Sequence, residues 1–272
     1  MNKVATDHLS FADWAERKLV NLIVDHDASM DGTPPLVLTG FVVDVSDEWL
    51  WVTAAHCLEP IDVILRFAER ALFALSPGTS GKPIPVNFQA PLKIAITDSQ
   101  IQFTTIENLQ SFSVPNTDVL LMKIPDAVVC YLMQHHYEPF NREHWHIDEA
   151  DVTELRHDLD VEILLVGLPK TLQQLTGNTL TCEARRLPLA PINDGSKLPK
   201  IEFNPLWERD QFDSGVRGMS GGPIVGRIGA RYFLFGCQSS QWTIENRYPS
   251  KLFVIAMESI LEIVHRSISE VA

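Results

Sequence analysis

The sequence lacks a long apolar run. No stretch approaches the ~18–20 residues of a membrane-spanning helix. The polar start MNKVATDHLSFADWAERKL has no apolar core of the ~7–15 residues that a secretory signal carries. Positive charge is scarce as well: 22 Lys and Arg stand against 35 Asp and Glu, a formal net charge of −13. Such a surface repels phosphate backbones and anionic lipid, and no basic run offsets it, so neither nucleic acid nor a membrane is an expected partner. Cysteine is sparse too. Cys57, Cys130, Cys182 and Cys237 fall at spacings that match no compact zinc or redox pattern. Without a secretory signal they are expected as free, buried thiols of a cytoplasmic protein. There is no P-loop, dinucleotide glycine motif, internal repeat or low-complexity tract, and no cofactor is expected.

What is present suits a large folded core. The chain has 272 residues, 45% of them hydrophobic, enough for one large domain or two fused small ones. Residues 10–24 read as an amphipathic helix with Ser10 as N-cap and Phe11, Trp14, Leu19, Leu22 and Ile23 on its apolar side. Short β-rich runs follow at 36–45, 49–53, 63–67, 94–96, 101–104 and 119–124, the pattern of a sandwich or barrel. Pro77, Pro83, Pro85 and Pro91 exclude 76–91 as a central strand and mark it as an extended surface loop. Residues 125–158 interrupt the β pattern with a helical piece at 130–137 and a His- and acid-rich run. Strand signals resume at 161–167, 179–186, 200–203, 224–225, 232–238 and 252–255, and 257–271 reads as a closing helix.

Three short segments carry chemistry: Val52-Thr-Ala-Ala-His56-Cys57, Thr117-Asp118-Val-Leu-Leu, and Gly218-Met-Ser220-Gly-Gly-Pro223. A serine hydroxyl is a poor nucleophile unless a base takes its proton, and acyl transfer needs donors aimed at the developing oxyanion. Glycines around Ser220 let the backbone approach a substrate closely and adopt positive φ, so the amides of Gly218 and Ser220 can point at one place. His56 follows an apolar β-like run, with small Ala54 and Ala55 beside it. Asp118 stands where a polar loop meets an apolar strand and can hold an imidazole in one tautomer. Asp126 and Asp98 are weaker alternatives for the acid. Taken singly, a core histidine, a turn aspartate or a Gly-rich turn explains each segment as well.

Together the segments resemble the trypsin/chymotrypsin serine peptidases, over about residues 36–272. The order His, Asp, Ser agrees with that family, whereas other triad folds use other orders. The resemblance implies an all-β fold of two six-stranded antiparallel barrels of the chymotrypsin type, with an N-terminal and a C-terminal helix. The implied organisation is a helix and linker at 1–35, barrel one at about 36–128, a connection at 129–159, and barrel two with the closing helix at 160–272. It implies a serine endopeptidase with His56 as base, Asp118 as its orienting acid, Ser220 as nucleophile, and the amides of Gly218 and Ser220 as oxyanion hole. Gly236-Cys-Gln-Ser239 resembles the strand that borders the substrate, so Ser239, Ser240 and Gln241 are expected along it. Ser214 is expected at the floor of the specificity pocket, or Asp213 after a one-residue shift of the alignment, and Arg217 among the substrate-binding residues. Protein or peptide substrates follow from the resemblance.

Departures from the family pattern narrow the expectation. Met219 stands where secreted members carry the aspartate that pairs with a new N-terminus, so activation by that cleavage is not expected. Neither 39–42 nor Val216 supplies the cysteines that secreted members use near these segments. A regulatory protein partner, as in stress or defence systems, fits these losses. The rival function is a peptidase-fold binding module without turnover, since fold alone does not prove activity. His135, His136, Glu143, His144 and His146 cluster in the connection, but without HExxH spacing they read as a solvated linker rather than a zinc site, and no metal is expected.

Overall fold

The computed structural model describes residues 10–26, 36–58, 71–77, 84–86, 94–97, 100–103, 118–124, 126–146, 161–170, 173–176, 179–191, 200–206, 218–244, 248–258 and 260–261. Among the described residues most of the regular structure is strand. The first half holds β1 (Val20–His26), β2 (Leu36–Leu38), β3 (Phe41–Val45), β4 (Glu48–Thr53), β5 (Ala71–Pro77), β6 (Ile84–Val86), β7 (Ile94–Thr97), β8 (Gln100–Phe103) and β9 (Leu120–Lys123). The second holds β10 (Glu162–Gly167), β11 (Gln173–Thr176), β12 (Thr179–Cys182), β13 (Arg185–Pro191), β14 (Lys200–Pro205), β15 (Pro223–Ile228), β16 (Arg231–Ile244) and β17 (Tyr248–Ala256). Helices α1 (Phe11–Arg17), α2 (Asp126–Gln134) and α3 (Arg142–Trp145) lie before and between the halves. Among the described residues no helix is long and apolar enough to cross a membrane.

The second half closes. Its antiparallel pairings run β10-β13-β14-β17-β16-β15 and return to β10, a six-stranded barrel without edges. Inward-facing Leu165, Leu187, Ile224, Phe233, Leu252 and Val254 fill it, together with Met219. In the first half, expected as the other barrel, the described residues do not show a closed sheet. Its described strands form a four-stranded sheet, β2-β1-β5-β6, and a three-stranded sheet, β3-β4-β9, with β7-β8 as a separate hairpin. The two larger sheets touch through the Leu19–Phe41 bridge and the Val20 amide, which donates to the Gly40 carbonyl at 2.9 Å.

The sequence pattern explains most of these elements. Ser46 and Asp47 both have positive φ, 55° and 67°, the backbone of a tight hairpin turn whose twist matches the strands it joins. That turn sets the β3–β4 register at Val45–Glu48 and so fixes the exit of β4 toward His56. Trp51 on β4 is fully buried and its indole Nε1 donates to the Val20 carbonyl at 2.7 Å. Burying a large side chain of this kind stabilises the fold by about 1.5–3 kcal/mol. The proline-rich stretch supplies a short strand after all: β6 with Pro85 opposite Ala74. It is the outer strand of its sheet, where a missing N–H is tolerated.

The N-terminal reading needs correction. Ser10 does cap α1, accepting from the Asp13 amide at 3.2 Å, but the helix stops at Arg17. Residues 20–26 are a strand. Leu19, Leu22 and Ile23 fit helical spacing, yet a short apolar run satisfies either period, and pairing with both β2 and β5 decides for the strand. Helix α1 packs Phe11 and Trp14 against Tyr232, and Trp14 edge-on to Phe140. Arg186 meets Glu16 at 2.6 Å in a half-buried pair and Asp13 at 2.8 Å in an exposed one, the latter contributing little beside the aromatic contact. Of the closing helix, residues 257, 258, 260 and 261 are described and helical. The expected strand at 63–67 lies outside the described residues.

The described thiols are free, but not all are buried. Cys237 is buried, Cys57 half-buried and Cys130 exposed. Helix α2 buries Val128 and Leu132, four residues apart, which leaves Cys130 on its other side.

Candidate active site

Strand pairing brings the first two candidate residues together. β4 and β9 run antiparallel with Thr53 opposite Leu120. His56 lies just beyond the end of β4 in a single 3-10 turn, Ala55–Leu58, and Asp118 lies just before β9. The two therefore leave the same end of the sheet. Asp118 Oδ1 accepts from the His56 backbone amide at 2.8 Å, and Oδ2 faces His56 Nδ1 at 2.6 Å. One carboxylate thus holds both the backbone and the ring. A proton on Nδ1 directed at the acid leaves Nε2 for another group. The hydrogen bond to Asp118 is the main cause that raises the His56 pKa to about 10; contact with Cys57 adds to it, and burial works against it.

A second strand pair delivers the serines. β15 and β16 pair with Pro223 opposite Cys237, so the turn before β15 lies beside the residues after Cys237. The Gly221 amide donates to the Gln238 carbonyl at 2.8 Å, and the Gln238 amide donates to the Gly222 carbonyl at 3.0 Å. The β16–β17 register shifts between Gln238 and Ser240, a bulge of the kind that re-aims a side chain. Ser239 sits at that bulge, fully buried, and its Oγ donates to Asp118 Oδ2 at 2.9 Å.

The Ser220 turn is anchored across the seam between the halves. Gly221 has φ +87°, and a Cβ there would run into Thr53 Oγ1 and the Thr39 carbonyl, so only glycine fits. Gly218 has φ +93°, and its carbonyl accepts from Thr39 Oγ1 at 2.8 Å. Met219 is fully buried in the barrel interior, where a side chain without charge belongs. Cys57 Sγ donates to the Ser220 carbonyl at 3.6 Å and lies 3.8 Å from His56 Nε2. Among the described residues no hydrogen bond joins Ser220 Oγ to His56.

His56, Asp118 and Ser239 therefore make one hydrogen-bonded group, and Cys57 links it to the backbone of Ser220. Ser214 and Arg217 lie outside the described residues. Ser240 and Gln241 continue β16 opposite Phe253 and Leu252. Asp126 instead opens α2 on an exposed face, and Asp98 lies outside the described residues. Two contributors had no readable signal. Thr39 is a lone threonine between apolar runs, and Cys57 read only as a thiol without its usual partner.

The histidine cluster splits in two: His135 and His136 follow α2, while Glu143, His144 and His146 lie on or beside α3 and line one pocket with Arg231 and Tyr232. His135 packs on Tyr131 at the end of α2, with ring centroids 4.2 Å apart. His144 sits on α3, stacked on Trp14, with Nδ1 2.6 Å from Asn141 Oδ1. Burial, with the Lys18 charge adding, pushes the His144 pKa down to about 4. Among the described residues no group of three or more His, Cys, Asp or Glu side chains converges as a metal ion requires.

No family model matches the chain, and no curated protein matches it. One solved structure similar to it is the inactive form of Rv3671c from M. tuberculosis H37Rv, a serine-to-alanine mutant. The identity is 12%, covering 93% of this chain and 87% of that one, with a TM-score of 0.41. An overlap that loose leaves the reading of the site to its own geometry.

Proposed function

We propose that this protein is a serine endopeptidase that acts through His56, Asp118 and Ser220. The observation that carries the reading is the Asp118 carboxylate, which grips the His56 amide and ring while accepting from Ser239. An acid that only closed a turn would not need three directed bonds. The glycine-bounded turn of Ser220, anchored against the same segment by Cys57 and Thr39, supplies the matching nucleophile.

In the reaction, Ser220 Oγ attacks the scissile carbonyl carbon and its proton passes to His56 Nε2. Asp118 keeps the ring oriented and stabilises the imidazolium. The amides of Gly218 and Ser220 hold the oxyanion. Collapse breaks the C–N bond as His56 returns the proton to the leaving amine. Water then attacks the acyl-enzyme with His56 again as base, releasing the acid and restoring Ser220. Protein or peptide substrates, a cytoplasmic site of action and control by a regulatory protein belong to this reading.

A fluorophosphonate probe tests it. Labelling of the native chain at Ser220, absent from Ser220→Ala of unchanged circular dichroism, is the expected result. Peptidase activity persisting in Ser220→Ala would refute the assignment. A folded native chain that resists the probe across the pH range would instead favour a binding module without turnover.

A further inference from the structure

Resting on the triad reading above, we infer that Cys57 is a positioning residue that holds the protonated His56 imidazole in a resting state through its Nε2 nitrogen. Its thiol proton is directed at the Ser220 carbonyl, 3.6 Å away. Its sulfur, a weak acceptor, lies 3.8 Å from His56 Nε2. Nε2 is the nitrogen that must take the proton of Ser220, and among the described residues Ser220 Oγ makes no hydrogen bond to it. Sulfur thus contacts the nitrogen that the nucleophile has to reach.

The chemistry of the contact fixes its direction. Sulfur accepts from Nε2–H only when that nitrogen is protonated, so the contact favours the imidazolium over the free base. The groups that face His56 act the same way. Asp118 lies on Nδ1, and Ser239 supports Asp118 from β16. With the imidazole pKa raised to about 10, the cation dominates near neutral pH. Substrate must displace the sulfur contact, exclude water and bring Ser220 Oγ to Nε2 before the base can work. Cys57 also joins the nucleophile turn of the second half to the histidine turn of the first, a link made by a single thiol that can release it.

The test reads the imidazole directly. The His56 ring C–H resonances are followed by NMR against pH in the full chain and in Cys57→Ala, assigned with His56→Gln. The expected midpoint in Cys57→Ala is lower by about 0.5 pH unit or more, the size of a weak hydrogen bond to the charged form. An unmoved or higher midpoint overturns the inference. Fluorophosphonate labelling of Ser220 gives the second readout: its acid limb should move to lower pH in step with the ring. A limb that stays in place while the rate falls uniformly would mean that Cys57 merely packs, and would overturn it too. If neither protein labels, the triad reading fails, and the midpoint alone judges the contact. Should Cys57→Ala not fold, Cys57→Val is read in its place with the same outcomes.

Discussion

Ser239 Oγ and His56 Nδ1 meet at one atom, Asp118 Oδ2, at 2.9 and 2.6 Å. Ser239 comes from the bulge of β16 and His56 from the turn after β4, so this oxygen is a joint between the two halves. Ser239→Ala should lower kcat/KM about tenfold, the loss of one modest orienting bond to a charged group. Steady-state kinetics on a peptide substrate would check this. An unchanged kcat/KM would mean that Asp118 is held well enough by the His56 amide alone.

Asp118→Asn should be far more damaging. An amide in place of the carboxylate favours the wrong imidazole tautomer, and about a 10³–10⁴-fold fall in kcat is expected. The hydrogen bond to Asp118 is also the first cause of the raised His56 pKa, so the acid limb of kcat/KM should move to lower pH. A pH–rate profile of the variant reads both effects. A fall in rate with an unmoved limb would contradict the assigned role of the carboxylate.

The sequence made some of this legible and not the rest. His56 and Ser220 lie in long motifs that resemble those of the trypsin/chymotrypsin peptidases, and it is the motifs together, not either residue alone, that mark them in the sequence. Asp118 stood out only by its place before an apolar strand; the antiparallel pairing of Thr53 with Leu120 is what puts it at the ring. Leu19 to Val24 misled because a short apolar run carries no period of its own, and long-range pairing with β5 decided its form. The contacts of Thr39 and Cys57 were not legible in the sequence, since they are made to carbonyls 179 and 163 residues distant in the chain, those of Gly218 and Ser220.

Thr39 should matter for stability as well as for rate. Its buried hydroxyl donates to the Gly218 carbonyl at 2.8 Å and accepts from the Leu168 amide at 3.1 Å. Thr39→Val keeps the shape and removes both hydrogen bonds, at a cost of about 1–3 kcal/mol. Urea denaturation should show an earlier midpoint, and fluorophosphonate labelling should slow as the Gly218 peptide loosens. Thr39→Ser, which keeps the hydroxyl, should recover most of both. Equal losses in the Val and Ser variants would assign the effect to the methyl group rather than to the hydrogen bonds.

Lys18 gives the fold a pH dependence that can be isolated. The side chain is 3% exposed, its Nζ donates to the Glu138 carbonyl at 2.8 Å, and it lies 5.4 Å from the Trp14 ring and 5.5 Å from that of Phe140. Burial lowers its pKa from 10.5 to about 8, with Glu138 opposing. Below pH 8 both folded and unfolded chains hold the proton, and the cost of burying the charge is fully present. Between about pH 8 and 10.5 the unfolded chain holds the proton and the folded chain has released it, so stability rises with pH by a total of about 3 kcal/mol. His56 works in the opposite sense, since its raised pKa means that stability is lost as pH rises toward 10, and buried Tyr137, pushed up from its ordinary value, acts in the same sense as His56 above pH 10. Lys18→Met keeps the apolar stem and both opposing groups. Subtracting its urea-derived stability from that of the native chain should therefore leave a difference that climbs from pH 7.5 to 10. A flat difference across that window would show that Lys18 keeps its charge in the folded protein.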